Sequence, residues 1–284
     1  MKHVLITGEN SYVGNSFAAW VNEDPKISIE KMSLRDGTWR ERDFSEFDAV
    51  LHVAGIAHQK ETKENEYLYY QVNRDLAIEV AEKAKNDGVN HFVFLSSMSV
   101  YGLETGVINE STPLKPKTNY GISKLEAEKG LADLTCSTFN IAILRPPMIY
   151  GADCKGNYPK LAKLAIKSPF FPDIENKRSM IFIDTLSEFI KRLINYSEVG
   201  LYFPQNADYV KTSEMVKIIA EVHGKKLSLI KLFNPFIKLF QIQTVNKVFG
   251  DLVYDKNLSG HVRDYNIVDF RTSIELTENV ENNL

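Results

Sequence analysis

The 284 residues predict an α/β protein organised on a doubly wound parallel sheet, with a smaller α/β domain toward the C-terminus. Three observations predict it. Short apolar runs rich in β-branched residues alternate with longer segments of helical periodicity through the first half of the chain. Those runs show no apolar–polar alternation, as expected of strands covered by helices on both faces. Beyond Gly151 the pattern changes to mixed helices and loops punctuated by Pro159, Pro169, Pro172, Pro204 and Pro235. Residues 1–150 are therefore expected to form the sheet domain, and 151–284 mainly the second domain, with some segments returning to the sheet.

The first strand is His3–Thr7, followed by a helix over Gly14–Val21. A second strand runs Ile27–Leu34. The run Asp48–Ala54 is a strand that precedes a long helix over Glu64–Asn86, whose apolar face carries Val72, Ala77, Val80 and Ala81. A strand at His91–Ser97 leads through a loop to a helix over Tyr120–Leu134, and Asn140–Pro146 holds the next strand. In the second half, 227–242 reads LSLIKLFNPFIKLFQI, interrupted by Lys231, Asn234, Pro235 and Lys238. Its spacing suits amphipathic helix packed on the protein's own core, with contact to a membrane surface as the alternative. No stretch approaches the roughly 20 apolar residues of a membrane span.

Composition narrows the function. With 44% hydrophobic and 25% charged residues the chain is of ordinary globular type, and 34 basic against 37 acidic residues give a net charge of −3. Neither sign is clustered, so no nucleic-acid partner is expected. Cys136 and Cys154 form neither a metal-ligand spacing nor a disulfide framework. They are expected as buried small side chains, with no metal, in a reducing cytoplasm. The N-terminus, MKHVLITGEN, lacks the length and cleavage site of a signal peptide.

The first strand ends in Thr7-Gly8-Glu9-Asn10-Ser11-Tyr12-Val13-Gly14, directly before a helix, which is the context of a dinucleotide-binding loop. Glycines permit the tight turn and the close helix approach, and the helix N-terminus offers free N–H groups to a pyrophosphate. Ser11 occupies the position usual for a second glycine. Either its hydroxyl donates to a phosphate, or it weakens cofactor binding. After the second strand, Ser33-Leu34-Arg35-Asp36 should lie beside the adenosine ribose. Arg35 suits the extra phosphate of NADP(H), which is the favoured cofactor, and Asp36 keeps NAD(H) as the alternative.

Tyr120 and Lys124 lie four apart on one helix face. Ahead of them, LSSMSVYG (95–102) places Ser97 at the carboxyl end of a strand, the edge at which open parallel sheets bind ligands. Together with TGENSYVG, LHVAGIAH (51–58), QVN with Asn73, NYGISK (119–124) and RPPMIYG (145–151), in that order, the sequence resembles the extended short-chain dehydrogenase/reductases, in the branch of UDP-sugar epimerases, dehydratases and reductases. The resemblance implies a Rossmann-type dinucleotide domain and a C-terminal substrate-binding domain. It implies that Val53, Ala54, Gly55, Asn73 and Pro147 join the loop residues in holding the cofactor. Ser97, Tyr120 and Lys124 would be the catalytic triad: Tyr120 exchanges a proton with the sugar oxygen, Lys124 supplies the charge that stabilises the phenolate, and Ser97 polarises the carbonyl.

Dehydratases of this branch carry an acid pair where this chain has Met98 and Ser99, which argues against elimination of water. Residues beyond the first half, including Lys155–Tyr158, Asn176–Ser179 and VFGDLVYD (248–255), resemble bacterial capsule and O-antigen reductases of UDP-4-keto-6-deoxy-N-acetylhexosamines. The expected partner is therefore a UDP-linked keto sugar, bound by Ser97, Met98, Ser99, Asn157 and Arg178, with Arg178 on the diphosphate. A 4-epimerase with retained NAD is the alternative, and a non-catalytic nicotinamide sensor a remote one. A homodimer is common in resembling proteins.

Overall fold

The structure is a computed structural model that describes all residues except 58, 233, 235–242, 260, 261, 263 and 279–284. Its centre is a six-stranded, all-parallel sheet formed by β1 (Lys2–Thr7), β2 (Ile27–Met32), β3 (Ala49–His52), β4 (His91–Leu95), β6 (Asn140–Leu144) and β10 (Gly200–Tyr202). The spatial order is β10-β6-β4-β3-β1-β2. Chain order reverses across β1 and β3, so a crevice opens at their carboxyl ends, the position where doubly wound sheets bind ligands. β10 comes from beyond residue 151, so the second half of the chain completes the first half's sheet.

Helices cover both faces. On one face, α1 (Tyr12–Trp20) packs against α6 (Ile183–Tyr196). On the other lie α2 (Glu66–Tyr70), α3 (Leu76–Asn86) and α4 (Asn119–Ala132), over a core that includes Val50, Ala77, Val80, Ala81, Phe92, Phe94 and Leu131. The expected helix over 64–86 is one helical stretch, but a π-helical turn at Gln71–Asp75 joins α2 to α3. The widened turn adds a residue per turn, and it is Asn73, wholly buried, that faces inward, while Val72 is only half-buried.

The remaining elements are short. β5 (Gly106–Ile108) pairs with β12 (Leu252–Tyr254), β7 (Met148–Tyr150) with β9 (Met180–Phe182), and β8 (Phe170–Pro172) with β11 (Ser228–Ile230), all in parallel. They are accompanied by α5 (Tyr158–Lys167), α7 (Thr212–Val222), α8 (Gln243–Phe249) and α9 (Phe270–Glu278). The expectation of amphipathic helix at 227–242 is corrected at its start, where Ser228–Ile230 is strand because it finds an open partner in β8. Residues 233 and 235–242 lie outside the described residues. Cys154 is buried as expected, but Cys136 is exposed, in the turn that enters β6. No helix among the described residues is long and apolar enough to cross a membrane.

Candidate active site

At the end of β1, Gly8 adopts φ +106° with its α-carbon pressed against the next strand's exit. A Cβ there would lie 2.8 Å from the Ala54 nitrogen and 2.9 Å from the Ala54 α-carbon. One on Gly14 would meet Ile6 Cγ2 at 2.9 Å and Val53 Cγ2 at 3.0 Å. Both glycines are thus demanded by the close approach of β1, α1 and the Val53–Ala54 turn. Ser11 is the N-cap of α1: in extended conformation, its Oγ accepts the Gly14 N–H at 3.4 Å. The cap uses an Oγ lone pair and leaves the hydroxyl proton to donate outward. A glycine-lined cradle ahead of a helix N-terminus fits a dinucleotide pyrophosphate.

The other loop residues differ in what they expose. Asn10 is exposed, Tyr12 is half-buried, and Val13 is buried. The Tyr12 hydroxyl is buried without a hydrogen-bond partner, and burial, then the nearby Cys154, Asp184 and Asp153, raise its pKa. Thr7 is wholly buried, with its hydroxyl 2.8 Å from His52 Nδ1. The side chain placed for a cofactor contact therefore serves the sheet interior, and Thr7 can meet a ligand in the crevice only through its backbone. At the adenosine end, the Asp36 carboxylate accepts from Thr38 N at 3.2 Å and Thr38 Oγ1 at 2.8 Å, bonds that lower its pKa. Arg35 is exposed, and its guanidinium has no hydrogen-bond or ion-pair partner among the described residues.

The three residues expected to act together are brought together. Ser97 caps a 3-10 turn, Met98–Tyr101, directly after β4. Its Oγ accepts from Ser99 N and donates to Ser99 Oγ, both at 3.1 Å, and its side chain is near enough to the Tyr120 phenol to lower that group's pKa. Tyr120 and Lys124 stand one turn apart on α4. Burial raises the Tyr120 phenol above its ordinary pKa, and Ser97 offsets part of that rise. Lys124 is 4% exposed, and burial brings its ammonium down to about 8, with Glu128 opposing the shift. Lys124 Nζ donates to the Leu95 carbonyl at 2.8 Å and lies 4.6 Å over the Phe94 ring, while the side chain that lowers the Tyr120 pKa is Ser97.

Gly55 meets this cluster from β3. A Cβ on it would lie 3.0 Å from Asn73 Oδ1 and 3.5 Å from Lys124 Nζ. Asn73 is fully engaged: its Oδ1 accepts from Ile56 N at 2.7 Å, and its Nδ2 donates to Ile56 O at 3.1 Å and Ser123 Oγ at 3.2 Å. It fixes the Gly55–Ile56 segment beside Lys124, so it shapes the cofactor cleft without a free polar atom of its own. Pro147 is buried next to Pro146, whose carbonyl accepts the Met98 N–H at 3.0 Å.

The substrate-side residues lie apart from the triad. Asn157 is exposed at the N-cap of α5 and does not cap it with its side chain. Arg178 is half-buried, with Nη1 donating to Gly250 O at 2.9 Å and Asn246 O at 3.4 Å. It has no carboxylate partner among the described residues, and burial lowers its pKa. Neither residue hydrogen-bonds Ser97, Tyr120 or Lys124.

Sequence reasoning missed three charged residues that organise the site. Glu61 reaches from the segment after β3 to the start of α4, accepting from Asn119 N at 3.0 Å and Tyr120 N at 3.2 Å; negative charge at a helix N-terminus is favourable. Glu128 and Arg145 form a buried ion pair, with Nη2 to Oε2 at 2.5 Å and both residues 5% exposed. Their signal was present: Gly121, Lys124, Leu125 and Glu128 form one stripe of α4, and two charges in the stripe that packs inward require partners inside.

The model of the NAD dependent epimerase/dehydratase family matches residues 4–200. The chain belongs to that family. A UDP-glucose 4-epimerase of Vibrio cholerae is 30% identical over 289 residues, covering 89% of this chain and 87% of that protein. An N-acetyl-α-D-glucosaminyl-diphospho-ditrans,octacis-undecaprenol 4-epimerase of Escherichia coli O157:H7 is 27% identical over 82% of this chain and 76% of its own. Among solved structures, a UDP-glucuronic acid 4-epimerase from Bacillus cereus in complex with NAD superposes with TM-score 0.76 at 16% identity, covering 98% of this chain and 97% of that one, a likeness of fold.

The loop geometry makes Gly8→Ala a sharp test of the cradle. The added Cβ meets backbone at a positive φ, so dinucleotide affinity measured by calorimetry should fall at least about tenfold, given the 1–3 kcal/mol typical of backbone strain. Unchanged affinity would show that the cradle does not hold the cofactor.

Proposed function

We propose that the protein reduces the 4-keto group of a UDP-4-keto-6-deoxy-N-acetylhexosamine, giving UDP-QuiNAc or UDP-FucNAc for surface polysaccharide, with NADP(H) as the preferred cofactor. The observation that carries the reading is the convergence of Ser97, Tyr120 and Lys124 with Gly55 at the sheet's switch point. A nicotinamide bound in the cradle supplies the hydride chemistry that side chains lack. The chain's own residues supply the rest. Ser97 presents a hydroxyl to the sugar's carbonyl oxygen and steers it toward the phenol. Tyr120, whose raised pKa keeps it protonated, is suited to giving a proton to the oxygen that becomes the alcohol. Lys124 holds positive charge behind the pair.

Three further features support this reading over its relatives in the family. Met98 and Ser99 leave no acid pair for dehydration. The unpaired Arg35, beside an Asp36 already engaged by Thr38, favours a ribose phosphate. Arg178, a half-buried guanidinium bonded only to carbonyls, suits a diphosphate. A second reading, 4-epimerisation of a UDP-hexose or UDP-N-acetylhexosamine with retained NAD, is favoured by the names of the Vibrio cholerae and Escherichia coli relatives.

Purified protein mixed with NADPH and freshly dehydrated UDP-4-keto-6-deoxy-N-acetylglucosamine should consume nicotinamide absorbance. Interconversion of UDP-GlcNAc and UDP-GalNAc without added cofactor, and no oxidation of NADPH or NADH, would install the epimerase instead. Tyr120→Phe should lower turnover at least about a hundredfold, the usual scale of general-acid catalysis. Arg35→Ala should weaken NADPH about tenfold, the worth of one charge-assisted hydrogen bond, and leave NADH nearly unchanged. Equal losses for both cofactors would remove the argument from Arg35.

A further inference from the structure

Three successive residues at the end of β4 lie against α4, and two of them are hydrogen-bonded to it. Leu95 receives the Lys124 ammonium on its carbonyl at 2.8 Å. Ser96 Oγ donates to Glu128 Oε1, and the Ser97 side chain sits by the Tyr120 phenol and lowers its pKa. The helix residues involved, Tyr120, Lys124 and Glu128, are spaced by four, so one face of α4 is turned to the segment Leu95–Ser97. The first two are catalytic in the proposed reading. Glu128 reaches no ligand crevice, since it is 5% exposed and bonded to Ser96 and Arg145.

The far side of that ion pair returns to the same turn. Arg145 Nη1 donates to the Tyr101 hydroxyl at 2.8 Å, and its guanidinium carbon lies 5.2 Å over the Tyr101 ring. Tyr101 is the last residue of the 3-10 turn that Ser97 caps. Both ends of the Ser97 turn are therefore fastened to one buried pair: Ser96 to Glu128, and Tyr101 to Arg145. Burial alone would lower the Arg145 pKa, but Glu128 and Tyr101 outweigh it and the guanidinium's pKa is raised, so the anchor stays charged. The Arg145 carbonyl also accepts from Tyr254 Oη at 2.8 Å, which ties the anchor to β12.

We propose that Ser96 and Tyr101 are positioning residues, which with the Glu128–Arg145 pair hold the Ser97 hydroxyl in register with Tyr120. The proposal rests on the reading of Ser97 and Tyr120 as the groups that act on the sugar oxygen. Its energetic logic is that of preorganisation: a misplacement of about 1 Å at a reacting group can cost about a hundredfold in rate. A pair that served only to join α4 to the sheet would need neither of these hydroxyls.

The test uses variants that leave the ion pair intact. Ser96→Ala releases one end of the turn and Tyr101→Phe the other. Each should lower kcat about tenfold or more, with KM for the nucleotide sugar and Kd for the dinucleotide within about twofold of wild type and the melting transition still cooperative. Ser96→Thr, which retains the hydroxyl, should recover most of the lost turnover. Wild-type kcat in both variants, or a fall that tracks a loss of cofactor binding, would overturn the proposal while leaving the assigned reaction standing. Wild-type protein that turns over neither a UDP-4-keto sugar nor a UDP-N-acetylhexosamine would overturn the reading of the reaction and this proposal with it.

Discussion

Lys124 carries a positive charge inside the protein, and much of the surrounding structure follows from where that charge is held. An ammonium removed from water is costly unless it is bonded and compensated. Here it has the Leu95 carbonyl at 2.8 Å and the Phe94 ring face at 4.6 Å. Glu128 lies one turn further along the same helix and favours the charged form. Even so, burial prevails and the pKa falls to about 8. The neighbouring His52 answers in kind. Wholly buried and stacked between Phe92 and Phe94, it is driven down to about 3 by burial and by Lys124, and stays neutral with Nδ1 on Thr7.

That placement sets the shape of the cleft. Because Nζ points at the end of β4, the segment arriving from β3 must pass close by it, and only a residue without a side chain fits at Gly55. Asn73 locks the passage by bonding both polar atoms of Ile56, and the π-helical turn at Gln71–Asp75 is what aims it inward. The same closeness recurs at Gly8, where β1 meets Ala54. The proposed cofactor cradle and the proposed proton-transfer pair are therefore two sides of one narrow junction between β1, β3 and β4. Membership of the NAD dependent epimerase/dehydratase family agrees with a junction built for a dinucleotide next to a tyrosine. Beside Ser97, Met98 and Ser99 offer no acid side chain, the feature on which the proposed reading sets dehydration aside.

The parts legible in sequence were those written in local pattern. The strands of the first half, α1, α4, the glycine loop and the Tyr120–Lys124 spacing all follow from periodicity and from residues whose backbone role is fixed. What escaped was set by tertiary contact. Nothing local distinguishes Asn73 from Val72 as the inward residue, because the choice depends on a π-helical turn. Thr7 reads as a loop donor until His52, 45 residues away, claims its hydroxyl. The run that begins at 227 has helical apolar spacing, yet Ser228–Ile230 forms strand because β8 offers an edge. The bond from Lys124 to the Leu95 carbonyl joins residues 29 apart, and nothing in the local pattern announces it. Arg145 lay in a motif already quoted and Glu128 one turn beyond Lys124 on the same helix, and the meaning of the pair emerged when both proved buried.

The central claim is that Lys124 is a buried ammonium whose burial brings its pKa down to about 8. Titrating the lysine side-chain nitrogens by nuclear magnetic resonance, in wild type and in Lys124→Met, addresses it directly. One signal should titrate at about 8, well below the ordinary lysine value of 10.5, and should be missing from the variant. If every lysine of the wild-type protein titrates near the ordinary value, Lys124 is solvated and the account of the site is wrong.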